Sequence, residues 1–443
     1  MASEKQYIEL YEQTRQIICE QSPEMMNARR DTAFERFRRN GFPCRKVERY
    51  KYTDIDKLFE PDYGLNLKRL EIPVDPYAAF KCDVPNLSTS LYFVVNDMFY
   101  SKQQPKGRLP EGVIIGSLKD YADIAANYYN RLAEKDADAI TDLNTMLAQD
   151  GLLVYVPKGV VVERAIQVLN ILRADVDMMV NRRVLVVAEE NAEITLLFCD
   201  HAADDRNFLT TQVIEVFADD NARVSLYCLE ETHAKNVRLS NVYIDQRRQS
   251  VVNHHVVTLH NGVTRNKLNL ELNGEGAECK VGGCVIADKQ QHVDNNTLIT
   301  HNACHCTSSE LYKYVLSDKA VGAFAGRVLV NAGAQKTASQ MTNQNLCASD
   351  QARMFTQPML EIYADDVKCA HGSTVGQLND SALFYMRQRG IPLREARMLL
   401  EVAFIGEAID QIDLIPLRDR LHYLADKRFR GQLNKCEGCR LCK

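Results

Sequence analysis

Three groups of cysteine and histidine stand close enough along the chain to share one ion or one reaction. The first is Cys369-Ala370-His371-Gly372. If this segment is a strand, residues two apart project to one face, so a thiolate and an imidazole would sit side by side. That pair suits iron or zinc, and mixed cysteine–histidine ligation is an established variant for 2Fe–2S centres. Two ligands leave a four-ligand site half built, to be finished by a partner, exogenous thiols or water. The alternative is a buried cysteine beside a hydrogen-bonded histidine in a glycine-rich bend. The second group is Cys436-Glu437-Gly438-Cys439-Arg440-Leu441-Cys442. This C-x-x-C-x-x-C spacing lets three thiolates converge on a metal or cluster, as in half of a bacterial ferredoxin motif, without the fourth cysteine and its proline. A thiol–persulfide relay or an exposed redox-active tail is the other use of such a run. The third group is His301-Asn302-Ala303-Cys304-His305-Cys306. On an extended strand Cys304 and Cys306 would face one way and His301 and His305 the other. Buried thiols and satisfied histidines are the expectation there.

Signatures of other chemistries are missing. There is no G-x-x-x-x-G-K-S/T, and Lys336-Thr337 follows Ala-Gly-Ala-Gln, not a glycine-rich cradle. Gly274-Glu275-Gly276 lacks the third glycine and the following helix of a dinucleotide fingerprint. Neither G-x-S-x-G nor H-E-x-x-H occurs. If ATP is used, another subunit must supply it. The chain has 443 residues, 46% hydrophobic and 26% charged, with a formal charge of −5. That balance gives no electrostatic case for nucleic acid. No stretch approaches the ~20 apolar residues of a membrane helix, and Met-Ala-Ser-Glu-Lys-Gln-Tyr has no apolar signal core. The expectation is a soluble, cytoplasmic protein that binds no membrane. Its 14 cysteines are scattered over a chain long enough to build its own core, which argues against a disulfide framework.

The elements that must position these residues divide the chain into four parts. Residues 1–150 read as a helical and mixed region. Ile8, Tyr11, Arg15 and Ile18 have helical spacing, and a second helix over Glu24–Asn40 ends at Gly41. Leu91–Val95 reads as a strand before a turn at Asn96-Asp97. Residues 151–378 read as a β core. Leu152–Val156, Ile166–Ile171, Val184–Val187, Ile194–Phe198, Val213–Phe217 and Val224–Tyr227 are β-branched runs of strand length. A phrase of alanine, polar, apolar, polar, apolar recurs at Ala192–Leu196, Ala222–Leu226 and Ala277–Val281, with a looser echo at Ala352–Thr356. The unequal intervals suggest short strands stacked rung upon rung without a strict repeat. The span of roughly 220 residues without a helix points to a solenoid, sandwich or barrel. Residues 379–435 turn helical again. Asp380 or Ser381 caps a helix ending at Gly390, Pro392 starts another, and Pro416 opens a last one. Met398, Val402, Ile405 and Ile409 form a stripe widened by Leu399, Leu400, Ala403 and Phe404. A helix this apolar is either buried against the β core or bound to a partner. Residues 436–443 form the cysteine-rich tail.

The run from Leu360 to Gly376, Leu-Glu-Ile-Tyr-Ala-Asp-Asp-Val-Lys-Cys-Ala-His-Gly-Ser-Thr-Val-Gly, resembles the signature of the SufD branch of the SufB/SufD family. These are scaffold subunits of the SUF iron–sulfur cluster assembly system. The phrase Leu383-Phe384-Tyr385-Met386-Arg387-Gln388-Arg389-Gly390-Ile391 resembles the branch as well. So do Gln335-Lys336-Thr337 and Gln340–Leu346 ahead of the signature, and Gly41-Phe42-Pro43 and Lys51-Tyr52-Thr53 near the front. Tyr50 stands where the family usually has tryptophan. The sister SufB branch lacks the Lys-Cys-x-His-Gly phrase.

The resemblance implies a right-handed parallel β-helix between N- and C-terminal helical regions, and a scaffold that is not itself an enzyme. It implies a SufBCD complex, in which this chain pairs with a SufB-like subunit and a SufC-like ABC ATPase docks on the C-terminal helices. A nascent iron–sulfur cluster would form transiently at the partner interface, with none held by the isolated chain. His371 maps onto the family's interface ligand, and Cys369 is its natural companion. Cys436, Cys439 and Cys442 match nothing in the family, which leaves metal or sulfur handling as their reading from spacing alone. Homodimerisation of the isolated chain is left open. Two other classes compete: a β-solenoid enzyme acting on carbohydrate, and a self-contained metal or redox protein. The first would need convergent carboxylates, and Asp365 and Asp366 are adjacent and point apart on a strand.

Overall fold

The computed structural model of the protein describes residues 3–79, 90–103 and 107–432. Helices α1 (Ser3–Glu20), α2 (Glu24–Asn40), α3 (Ile55–Phe59) and α4 (Pro76–Ala79) precede strands β1 (Leu91–Val95), β2 (Met98–Phe99) and β3 (Ile114–Ser117). Helices α5 (Ala122–Ala125) and α6 (Ala139–Leu147) follow. The chain then runs through β4 (Leu152–Val156), β5 (Ile166–Leu172), β6 (Met178–Ala188), β7 (Glu193–Ala202), β8 (Phe208–Ala218), β9 (Arg223–Glu231), β10 (Asn236–Gln246) and β11 (Val251–His260). It continues through β12 (Val263–Leu272), β13 (Glu278–Ala287), β14 (His292–His301), β15 (Thr307–Leu316), β16 (Val321–Val330), β17 (Ala338–Cys347), β18 (Arg353–Ile362) and β19 (Lys368–Gly376). Helices α7 (Asp380–Gln388), α8 (Leu393–Ile409) and α9 (Ile415–Phe429) close the described chain.

Even-numbered strands from β4 to β18 form one parallel sheet, and odd-numbered strands from β5 to β19 form the other. Each turn of chain therefore lays one strand on each sheet, and the next turn stacks on it about 4.8 Å away. The result is a two-sheet β-solenoid. Strands from the N-terminal part join its first rungs: β1 pairs in parallel with β5, and β3 pairs antiparallel with β4.

The corners explain the recurring alanine phrase. One corner places a residue in the left-handed region on successive rungs: Asn191, Asn221, Gln249, Gly276, His305 and Lys336. The next residue is small and buried each time: Ala192, Ala222, Ser250, Ala277, Cys306 and Thr337. A bulkier side chain would not fit the tight bend, since interiors pack to near-crystal density. Ala352 belongs instead to the opposite corner, with its N–H donating to the Ser349 carbonyl, as Ala320 does to Ser317. That accounts for the looseness of its echo.

The 301–306 segment is one of these corners, which corrects its reading as an extended strand. β14 ends at His301, and His305 takes φ 58°. His301 is buried with Nε2 against Ser308 Oγ at 2.9 Å, and Cys306 fills the small-residue position.

The interior is lined by Val, Leu, Ile, Ala and a few polar columns. The N-terminal helices cover the outer face of the even-numbered sheet, where Tyr7, Phe37 and Phe59 pack with Met179, Leu209 and Leu239. The α8–α9 hairpin covers the odd-numbered sheet: Ile405, Ile409, Leu417 and Leu421 cluster with Tyr227, Val257, Ile286 and Val315. Half of the predicted α8 stripe is thus buried against the chain's own core, while Leu399 stays exposed. One cap differs from expectation. Asn379, not Asp380 or Ser381, caps α7, its Oδ1 accepting from the N–H groups of Ser381 (2.9 Å) and Ala382 (3.2 Å).

Candidate functional site

Cys369 and His371 lie on β19, whose register with β17 sets Cys369 opposite Ser339, His371 opposite Met341 and Ser373 opposite Asn343. Those three β17 side chains are buried in the solenoid. Parallel pairing in register keeps side chains in columns, so Cys369, His371 and Ser373 also face inward. No rung follows β18 and β19 among the described residues. Residues that would be core one rung earlier are therefore left at an open end. Cys369 is half-buried and packs against the core, and His371 is exposed. Burial pushes the Cys369 thiol up, against a smaller lowering from the Ser339 backbone.

The last rung is held by polar contacts across the opening. Thr356 Oγ1 and Ser373 Oγ lie 2.6 Å apart, and both hydroxyls reach Asn343 Oδ1, at 2.8 and 3.2 Å. The corner beneath is tied by the Lys336–Asp366 ion pair and by the Lys336 N–H donating to the Asp366 carbonyl at 2.7 Å. Lys336 and Thr337 are thus corner residues. The front segment reaches the same end: the Tyr52 ring stacks on Phe355 of β18 at 4.6 Å, and Gln357 Nε2 donates to Glu48 at 2.7 Å.

Two backbone edges end here, since β18 and β19 are the terminal strands of their sheets. Around them stand exposed Phe355, Ile362, Tyr363 (64% exposed) and Val375 (50%). Bare parallel edges beside apolar side chains are features that soluble proteins normally cover or blunt.

Two polar groups of the core escaped the sequence reading. The column under His371 runs through Met341 to Glu310 on β15. Glu310 is fully buried, accepts from Thr297 Oγ1 at 2.6 Å, and burial pushes its pKa up to about 7. Deeper in, Asp200 bridges Arg182 (2.5 Å) and Arg238 (2.9 Å) inside the first rungs. Only the alternation of a charged residue with apolar neighbours hinted at either. Elsewhere, a cavity of about 770 Å³ opens between the start of α8 and the end of α9, lined by Pro392, Arg394, Arg397, Glu401, Phe429 and Gln432 among others. Cys436, Cys439 and Cys442 lie outside the described residues. Among the described residues no group of three or more His, Cys, Asp or Glu side chains could hold a metal ion. The Cys369–His371 pair remains a pair.

Comparison with known proteins covers most of the chain. Residues 1–168 match the SufBD protein N-terminal region, and residues 170–404 match the SUF system FeS cluster assembly SufBD core domain. The iron-sulfur cluster assembly protein SufD of Escherichia coli is 28% identical over 380 residues, covering 84% of this chain and 86% of that protein. An iron-sulfur cluster assembly SufBD family protein of Synechocystis is 28% identical over 411 residues, covering 90% and 87%. SufD of Bacillus subtilis is 24% identical over 332 residues, covering 72% and 73%.

Proposed function

Because this chain belongs to the SufBD family of SUF-system iron–sulfur cluster assembly proteins, we propose that it is the SufD-type scaffold subunit of a cytoplasmic SufBCD complex. In this reading a SufB-like subunit seals the open end of the solenoid, and nascent clusters are built where the two meet. The observation that carries it is the position of Cys369 and His371: inward-facing potential ligands on the last rung among the described residues, beside the terminal strands of both sheets. A partner that pairs with β18 or β19 would satisfy backbone groups and cover Ile362, Tyr363 and Val375 in one step. It would also bring further ligands to the half-site.

The chemistry of the pair fits a transient cargo. His371 offers an imidazole nitrogen, while iron must displace the thiol proton of Cys369, whose burial holds that proton more tightly. Two ligands, one of them reluctant, hold iron weakly until a partner adds more. The isolated chain is therefore expected to carry no stable cluster, and the chain acts as a scaffold without catalysing a reaction of its own. ATP-driven rearrangement falls to a SufC-like ABC ATPase on the α8–α9 hairpin, where Leu399, Ile415 and Tyr423 remain exposed. No helix among the described residues is long and apolar enough to cross a membrane.

The test separates the two docking faces. Ile362→Lys with Val375→Lys should abolish co-elution with the SufB-like subunit and spare the ATPase. Leu399→Glu should do the reverse. Wild-type co-elution of both variants would refute the assignment of these faces.

A further inference from the structure

One column of the solenoid interior runs from the core to the half-site. In-register pairing stacks Cys279 of β13, Ser308 of β15, Ser339 of β17 and Cys369 of β19 one above another. Ser308 Oγ and Ser339 Oγ lie 2.8 Å apart, and His301 Nε2 stands 2.9 Å from Ser308 Oγ. His301, Ser308 and Ser339 are all buried. The Ser339 backbone already acts on the Cys369 thiol, so the sulfur lies close to this rung.

The direction of this chain of hydrogen bonds follows from His301. Burial pushes its pKa down to about 4, with no charged neighbour contributing, so the ring is neutral and carries one N–H. Its Nδ1 is buried and has no partner among the described residues. Buried N–H groups without a partner are rarer in folded proteins than buried acceptors without one. The bare nitrogen is therefore Nδ1, and Nε2–H donates to Ser308. Ser308 in turn donates to Ser339, whose own hydroxyl hydrogen is left over, one rung beneath Cys369. The ionisable groups around the column are otherwise engaged. Cys279 ends it with a thiol that burial pushes up, and the Cys306 thiol donates to the Gly274 carbonyl at 3.3 Å. Glu310, two residues along β15, accepts from Thr297, and Lys336 and Asp366 pair at the corner.

We propose that Ser339, with Ser308 and His301 behind it, is a positioning residue of the half-site, whose hydroxyl donates a hydrogen bond to the Cys369 sulfur once that sulfur has taken iron. Cys369 exchanges its S–H bond for S–Fe, the proton leaves to solvent at the open end, and no redox change is involved. A thiolate accepts a hydrogen bond more strongly than a thiol, and each donor in the chain polarises the next. Such a bond draws electron density from the ligand sulfur and so favours the reduced, more electron-rich cluster. This inference rests on the reading of Cys369 as a ligand. It adds a control, built into the core, over how the cargo is held.

The anaerobically purified complex with the SufB-like subunit reads this out in its thiolate-to-iron charge-transfer absorption and its reduction potential. Ser339→Ala should keep iron while moving the band to lower energy and the potential downward. Ser339→Thr, which restores the hydroxyl, should bring both back. Unchanged band and potential in Ser339→Ala, where Cys369→Ser alters both, would sink this inference alone. A band and potential indifferent to Cys369→Ser would sink the ligand assignment beneath it. Iron lost alike in the alanine and threonine variants would mark Ser339 as a packing residue and overturn the proposal. The wild-type full chain gives an independent check by 15N NMR of labelled histidine, with the His301 signal identified by its loss in His301→Gln. At neutral pH His301 should be the Nε2–H tautomer; the Nδ1–H tautomer would reverse the chain of donors and refute it.

Discussion

Replacing Asp138 by alanine should loosen the segment that flanks the open end from about 90 residues away. Its carboxylate is fully buried at the start of α6. It accepts from Tyr50 Oη at 2.6 Å, Lys267 Nζ at 2.9 Å and Asn241 Nδ2 at 2.9 Å, and from the N–H groups of Ile140 and Thr141 at 3.1 and 3.3 Å. Burial alone would raise its pKa, but the Lys267 and Arg265 charges outweigh that and hold the carboxyl below the usual range. Its contribution is therefore present above the unfolded carboxylate pKa of about 4 and is lost as pH falls below it. Breaking a buried pair costs ~3–5 kcal/mol, and the lower end applies because Lys267 keeps Asp136. Losing the helix cap adds ~1 kcal/mol. The expected cost is about 4 kcal/mol, read from urea unfolding. Asp138→Asn, which keeps the cap, should cost about 1 kcal/mol less. Tyr50 would lose its partner, and Tyr52 and Glu48 beside it touch β18, so amide exchange in β18 should rise as well. A cost below ~1 kcal/mol with unchanged β18 protection would refute the anchoring role assigned to Asp138.

Four further outcomes follow from the rungs of the solenoid. Glu310 has a raised folded pKa, so the wild type loses stability as pH climbs from the unfolded value of ~4.3 through about 7. Glu310→Gln should thus gain on the wild type between pH 5 and 8 by up to a few kcal/mol in denaturant midpoints, and an unchanged difference would contradict the burial argument. His254 has the opposite sense, since burial pushes its pKa down to about 4. Its unfolded form takes up a proton below ~6.5, so His254→Gln should lose less stability than the wild type between pH 7 and 5. Gly274→Ala should destabilise by about 2–3 kcal/mol, because a Cβ there would meet Arg248 N at 2.0 Å. Gly372→Ala on the open rung has nothing within 4 Å and should stay within ~0.5 kcal/mol of wild type.

Much of this architecture was legible in the sequence because local rules and tertiary packing agree. The second helix runs over Glu24–Asn40 as its cap signals indicated, and Leu91–Val95 and Leu152–Val156 are strands with the predicted bounds. The alanine phrase was visible as a repeat, but its cause was hidden: a left-handed corner followed by a position with room only for a small side chain. That corner can be supplied by Asn, Gln, Gly, His or Lys, so no single residue type marks it, and His301–Cys306 was misread as extended. The outward-facing partners of the corners and helices were equally opaque, since Asp138 and Lys267 are 129 positions apart and meet only in the fold. For the candidate site, period-two alternation was enough to put Cys369 and His371 on one face. It could not tell that β19 is the last rung among the described residues, and that circumstance is what leaves the inward-facing pair at an open end.

Iron and acid-labile sulfide in the complex test the scaffold account most directly. The tagged chain, purified anaerobically with the SufB-like and SufC-like proteins of its own organism, should retain both, and His371→Ala should lose most of each while keeping the subunits together. Because His371 is exposed, the variant's own stability should stay within ~0.5 kcal/mol of wild type, so loss of cluster cannot be ascribed to misfolding. Unchanged iron and sulfide in the assembled His371→Ala complex, or equal iron on the lone wild-type chain, would contradict the account.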